Sequence, residues 1–209
     1  MNRIVVSLDV PTATEARRVA RSVGEAGAGV RIGPRLLNRV GPAVIATVQS
    51  EAEVLADARI GGSPTEVVAA VRALASLGAN WVTVDGAIGP DATATAAEVV
   101  ATYGAALLAT TVPPEAPDPP GGRGKAVSAL AQGLAGTGIA AVLGVAGDVG
   151  VVVQVAPGLP VVVYQAESVP EVSDALTKGA LAVVVDAGIA RAADPAAAVA
   201  PYLEVALTA

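Results

Sequence analysis

Asp57 and Arg59 stand two residues apart at the end of an apolar run, in the stretch Leu-Ala-Asp-Ala-Arg-Ile-Gly-Gly-Ser-Pro-Thr-Glu-Val that spans positions 55 to 67. On a β-strand that spacing turns both side chains to one face. An arginine keeps its proton at any working pH and offers a rigid fork of donors, so it holds a carboxylate or enolate well and gives up a proton poorly. A carboxylate beside it can act as a base or orient the ligand. Other apolar runs end the same way, with Asp9, Arg31, Asp85, Thr110, Tyr164 and Asp186. Charged groups at such positions are costly unless paired, so arginine–carboxylate pairs are expected among them.

What the chain lacks narrows the chemistry further. It has no Cys and no His, which excludes a thiolate nucleophile, a Ser–His pair, an imidazole acid or base and an ordinary zinc site. Its lysines, Lys125 and Lys178, do not end apolar strands, so a Schiff-base mechanism is not expected. A net charge of -6 with 2% aromatic residues is the opposite of a nucleic-acid surface, which needs a basic footprint and stacking rings. Mean hydropathy is +0.61, yet no uncharged apolar run approaches the roughly 18 to 20 residues of a membrane span. No signal-peptide pattern opens the chain. A cytoplasmic protein with a small-molecule substrate is the resulting expectation, with neither nucleic acid nor membrane as partner.

Elements that could position these residues follow one another regularly. Short β-rich runs at 3–9, 29–33, 53–60, 81–85, 106–110, 140–145, 160–164 and 181–186 alternate with Ala-rich helical stretches, eight of each. Runs such as Val-Val-Val-Tyr and Ala-Val-Val-Val-Asp are apolar throughout, as in strands covered on both faces. Eight such units close as an α/β fold of the (β/α)8 TIM-barrel type, a single domain over 1–209, with the strand-end residues gathered at the barrel mouth. Helix starts are marked by Pro11-Thr12, by Ser63 with Glu66 in a capping box, and by Asp194-Pro195. The Pro- and Gly-rich segment 112–124 falls after the fifth strand and is a candidate lid. Its Gly-Gly-Arg-Gly-Lys run is no P-loop, because Ala126 stands where a Ser or Thr would bind magnesium.

The motif at 55–67 resembles the active-site segment of the orotidine 5'-monophosphate decarboxylase superfamily, Asp-x-Lys-x-x-Asp followed by Ile-Pro-x-Thr. Asp57 falls on its first Asp and Pro64 on its Pro, while Arg59 replaces the lysine and Gly62 the second Asp. The resemblance continues through Ser7–Val10, Val30–Gly33, Trp81–Gly86 and Val183–Pro195, with Asp9 on a sugar-contacting acid and Arg31 on a lysine. Asp85 stands in place of the usual His, and Asp186-Ala187 in place of a phosphate-binding Gly-Arg. It implies a homodimer with active sites near the interface and no cofactor. Related barrels that hold magnesium use a carboxylate where this chain has Arg31, so no metal is expected.

Two readings follow. In the first, the chain is a lyase of decarboxylase type, or a proton-transfer enzyme, acting on a small, unphosphorylated or unusually placed anion. Asp57, Arg59 and Asp85 would be catalytic, and Asp9, Arg31, Thr110, Tyr164 and Asp186 would bind substrate. In the second, it is a non-catalytic small-molecule-binding or scaffold homologue.

Overall fold

Aliphatic runs flanked by turn residues pair side by side as eight parallel strands. In chain order they are β1 (Ile4–Ser7), β2 (Gly29–Ile32), β3 (Val54–Ile60), β4 (Trp81–Asp85), β5 (Ala106–Thr110), β6 (Ala141–Gly144), β7 (Val161–Ala166) and β8 (Ala182–Val185). Each pairs with the next and β8 pairs with β1, so the sheet closes into a barrel. The fold is the (β/α)8 barrel expected. These features come from a computed structural model that describes residues 1–113, 116–117, 119–185 and 188–209.

The outer layer consists of α1 (Ala13–Glu25), α2 (Pro34–Val40), α3 (Val44–Val48), α4 (Pro64–Ser76), α5 (Pro90–Ala101), α6 (Arg123–Leu134), α7 (Asp148–Val155), α8 (Val169–Thr177) and α9 (Pro195–Thr208). Eight helices were expected, and the connection between β2 and β3 holds two. Gly41, in a left-handed conformation at φ 83°, ends α2, and Pro42 follows it without an N–H to offer. The capping signals are in place. Thr12, Ser63 and Asp194 accept from the backbone of Glu15, Glu66 and Ala197, and Glu66 returns the bond to Ser63. Among the described residues, no helix is long and apolar enough to cross a membrane.

Two apolar clusters fill the structure. The larger lies between strands and helices, built from Val, Leu, Ile and Ala with no Phe available. The smaller plugs the barrel itself with Val5, Leu55, Leu108, Leu143, Val162 and Val184, and Trp81 packs against it. Trp81 Nε1 donates to Glu53 Oε1 at 2.7 Å, which satisfies the indole at the end of the barrel away from the mouth. This plug is the floor on which the polar layer rests.

Candidate functional site

Strand alternation carries the apolar floor directly into a polar layer. Two residues beyond Val5, Leu55, Trp81, Leu108 and Val162 come Ser7, Asp57, Thr83, Thr110 and Tyr164. Arg31, on β2, joins them across the barrel. Its Nε and Nη2 donate to Asp57 Oδ2 at 2.8 and 2.5 Å, Nη1 donates to Ser7 Oγ at 2.9 Å, and Nη2 also reaches the Tyr164 hydroxyl at 3.2 Å. Asp57 is fully buried and Arg31 only 7% exposed. Thr83 completes the acid's shell by donating its hydroxyl to Asp57 Oδ1 at 2.8 Å. A buried ion pair is tolerable only when its remaining lone pairs and protons are satisfied, and here they largely are. Gly33 makes room for it, since a Cβ there would lie 2.7 Å from Arg31 Nη1.

Arg59 enters the same layer by a less regular route. β3 and β4 lose register between Ala56 and Ile60, and Arg59 sits in this bulge at φ 46°. The regular strand expected through 57 and 59 is therefore broken, although both side chains still meet, with Arg59 Nε 3.7 Å from Asp57 Oδ1. The Arg59 N–H donates to the Thr83 hydroxyl at 2.9 Å, which holds the bulge. A second irregularity, between Val163 and Ala166 where β7 meets β8, places Gln165 at φ 59°. Left-handed backbone at a non-glycine residue costs on the order of 1–3 kcal/mol and gathers at functional sites. Tyr164 belongs to this second irregularity, and the Arg31 and Arg59 guanidinium carbons lie 4.7 and 4.9 Å from its ring centroid.

Above this layer opens a cavity of about 630 Å³ lined by Asp9, Arg31, Arg35, Arg59, Tyr164, Gln165 and Arg191, among others. A narrow cleft beside it, with room for about one water, touches Arg59, Thr110, Thr111, Val112, Pro113 and Tyr164. Of the residues proposed from sequence, Arg31, Asp57, Arg59 and Tyr164 thus come together. Asp9 lies on the outer side of the cavity, bonded by Arg35 and Arg191, and Thr110 faces the cleft. Asp85 does not line the cavity. It is exposed and caps the 3-10 turn Gly86–Ile88 by accepting from the Ala87 N–H at 2.9 Å. Asp186 lies outside the described residues, as do 114, 115 and 118 of the candidate lid. Among the described residues, no three His, Cys, Asp or Glu side chains are grouped to hold a metal ion.

Sequence reasoning passed over several participants. Ser7 and Thr83 were within reach of the alternation rule, each two residues past an interior side chain. Arg35 and Arg191 carried no strand-end signal. Another cluster anchors the segment after β5. Arg123 donates to the carbonyls of Val112 and Pro113 and, through Nε and Nη2, to Asp148 at 3.0 and 2.9 Å. Asp148, 2% exposed at the start of α7, also accepts from the Thr111 hydroxyl at 2.9 Å and the Val145 N–H at 3.1 Å. The two described ends of the loop are therefore tied together at one buried carboxylate.

A family model described as orotidine 5'-phosphate decarboxylase / HUMPS family matches residues 2–202. The chain belongs to that family. No curated protein sequence matches it. Solved structures that resemble it include orotidine 5'-phosphate decarboxylase from Lactobacillus acidophilus, at 21% identity and a TM-score of 0.84 over 99% of this chain and 98% of that one. The decarboxylase from Pyrococcus horikoshii OT3 aligns at 20% identity and 0.82, covering 97% and 99%. An uncharacterized conserved protein from Geobacillus kaustophilus aligns at 22% and 0.81, covering 98% of each chain. At these identities the structures speak for the fold. Gly62, just past the bulge, has a φ of 118°, which a residue with a side chain would adopt only under strain.

Proposed function

We propose that the chain is a lyase of decarboxylase type, or a catalyst of proton transfer next to a carbonyl. Its substrate is a small anion without a phosphate at the position served by the Gly-Arg that Asp186-Ala187 replaces. Arg59 binds the substrate carboxylate or the enolate oxygen that forms from it. Arg31, steadied by Asp57, supplies positive charge beside it. In a decarboxylation the bond from the α-carbon to the carboxylate carbon breaks, carbon dioxide leaves and the electron pair passes to the enolate. The Tyr164 hydroxyl then gives its proton to that carbon and recovers one from solvent.

The observation that supports this most is the pair of strained residues. Arg59 and Gln165 are the non-glycine residues with left-handed backbone among those described, and both line one cavity together with Tyr164. Strain that converges on a cavity from two separate strands is what a preorganised site exhibits. The test is release of carbon dioxide, or exchange of an α-proton, from a panel of small keto- and hydroxy-carboxylates. Arg59→Gln and Tyr164→Phe should each fold and lower kcat on the active compound by about 100-fold or more, the scale of losing one aimed donor. Full activity in both variants would sink the assignment.

One observation favours the second reading, a binding homologue without turnover. Asp57 has its oxygens taken by Arg31 and Thr83, and Asp85 caps a turn, so among the described residues Asp9 is the acid left lining the cavity. That reading predicts ligand-dependent stabilisation with no product from any compound of the panel. Both readings take two copies as the working unit, as the family likeness implies; equilibrium sedimentation checks the mass.

A further inference from the structure

Where β3 meets β4 the register shifts, and a single side chain stands opposite the shift. Ala56 pairs with Val82 and Ile60 with Val84, so between those pairs β3 carries Asp57, Ala58 and Arg59 while β4 carries Thr83 alone. At the other irregularity Tyr164 and Gln165 of β7 stand against Val184 of β8. The two bulges differ in what faces them. The Val184 side chain offers no polar group, whereas the Thr83 hydroxyl accepts the Arg59 N–H at 2.9 Å and donates to Asp57 Oδ1 at 2.8 Å.

Thr83 is fully buried, as are Val82 and Val84 on either side of it. A hydroxyl in such a place is costly unless its hydrogen bonds are made, and a valine would fill the position without that cost. The hydroxyl has one proton to give. It goes to the acid, while a lone pair takes the backbone N–H, so one orientation serves both partners. Continued without the shift, the register would set Asp57 against Thr83 and Ala58 against Val84. Arg59 would then take ordinary extended backbone in place of its φ of 46°. From the bulge, Arg59 lines the cavity with its guanidinium carbon 4.9 Å from the Tyr164 ring centroid and its Nε 3.7 Å from Asp57 Oδ1.

We infer that Thr83 is the positioning residue of the anion site. Its hydroxyl holds Arg59 in the left-handed conformation that aims the guanidinium at the cavity, and ties that conformation to the Asp57–Arg31 pair. The inference rests on the reading above in which Arg59 binds the substrate carboxylate. Thr83 does not line the cavity and acts only through Arg59. Without the hydroxyl, β3 relaxes toward regular register and Arg59 loses its aim, while Arg31 keeps its place through Asp57 Oδ2 and the Ser7 hydroxyl.

Isothermal titration of 2-oxobutyrate into the parent, R59Q, T83V, T83S and T83V/R59Q tests this, with thermal midpoints reporting whether each variant is folded. R59Q should weaken binding about tenfold or more, the scale of one charge-assisted contact. T83V should weaken it about as much, and T83V/R59Q no further, because both changes act through one guanidinium. T83S keeps the hydroxyl and should bind as the parent does, although it has lost a buried methyl. Unchanged affinity in T83V beside a weakened R59Q, or a T83S as weak as T83V, overturns the positioning role and leaves the anion reading in place. Binding that R59Q does not weaken, or no binding by the parent, overturns the anion reading and the inference with it. Amide hydrogen exchange in the parent decides the matter if T83V does not fold. The Arg59 amide should exchange as slowly as those of Val82 and Val84, and exchange as fast as in surface turns would show that the hydroxyl does not hold the bulge.

Discussion

Arg31 delivers two hydrogen bonds to a single oxygen of Asp57, at 2.8 and 2.5 Å, and both side chains are buried. Asp57 has no water to fall back on, and Arg31 meets solvent only through its 7% exposure at the cavity. Breaking such a pair from one side costs about 3–5 kcal/mol because the survivor is left charged and dry, whereas replacing both can be close to neutral. Asp57→Ala and Arg31→Met should each destabilise the chain by about that amount in urea unfolding, and the double variant should recover much of the loss. Additive losses would mean that the two groups are not coupled. Asp57→Ala is consequently a poor probe of catalysis, since any loss of turnover would be mixed with loss of fold; Arg59→Gln and Tyr164→Phe are cleaner.

The barrel was legible because strands covered on both faces are written as unbroken aliphatic runs, and eight of them with helices between leave few alternatives. The inner site was legible by type, since Arg31 and Asp57 are charged residues that end such runs. Their pairing was not, because it depends on the register of β2 against β3, where Arg31 lies opposite Leu55 and so reaches Asp57 one step above. Asp85 ends a run in the same way yet turns back to cap its own backbone two residues on. The Asp-Gly dipeptide at 85–86 carries that turn signal. The bulge at Arg59 left no local mark, since it is imposed by the Thr83 hydroxyl on a neighbouring strand. Arg35 and Arg191 come from a helix face and a turn, where a charged residue reads as ordinary surface.

Arg123 and Asp148 are 25 residues apart, and together they fasten the segment after β5 beside Arg59 and Tyr164. Arg123→Ala leaves Asp148 buried without its cation, which should cost about 3 kcal/mol. It should also speed amide hydrogen exchange at 111, 112 and 145 relative to the strands. Gly144→Ala tests the same knot from beneath, because its Cβ would lie 2.7 Å from both Asp148 Oδ2 and Thr111 Oγ1. Exchange that stays slow at these positions in both variants would show that the loop is held by something other than this carboxylate.

Glu51 sets a pH dependence far from the mouth. It accepts from Arg17 Nε at 2.7 Å and from Arg21 Nε and Nη2 at 3.0 Å each, tying α1 to the turn before β3. Hydrogen bonds from Arg21 and then Arg17 lower its pKa from 4.5 to about 2. A carboxylate whose pKa is lower folded than unfolded stabilises the fold fully above the unfolded value and loses that contribution as pH falls through the folded one. The loss should therefore run from pH 4.5 down to about 2. Glu51→Gln should be less stable than the parent above that window and equal to it below, so its stability should change less with acid. Both arginine side chains are more than half exposed, so added salt should shrink the difference by screening. Parallel acid profiles for the two chains would assign the acid sensitivity to other carboxylates.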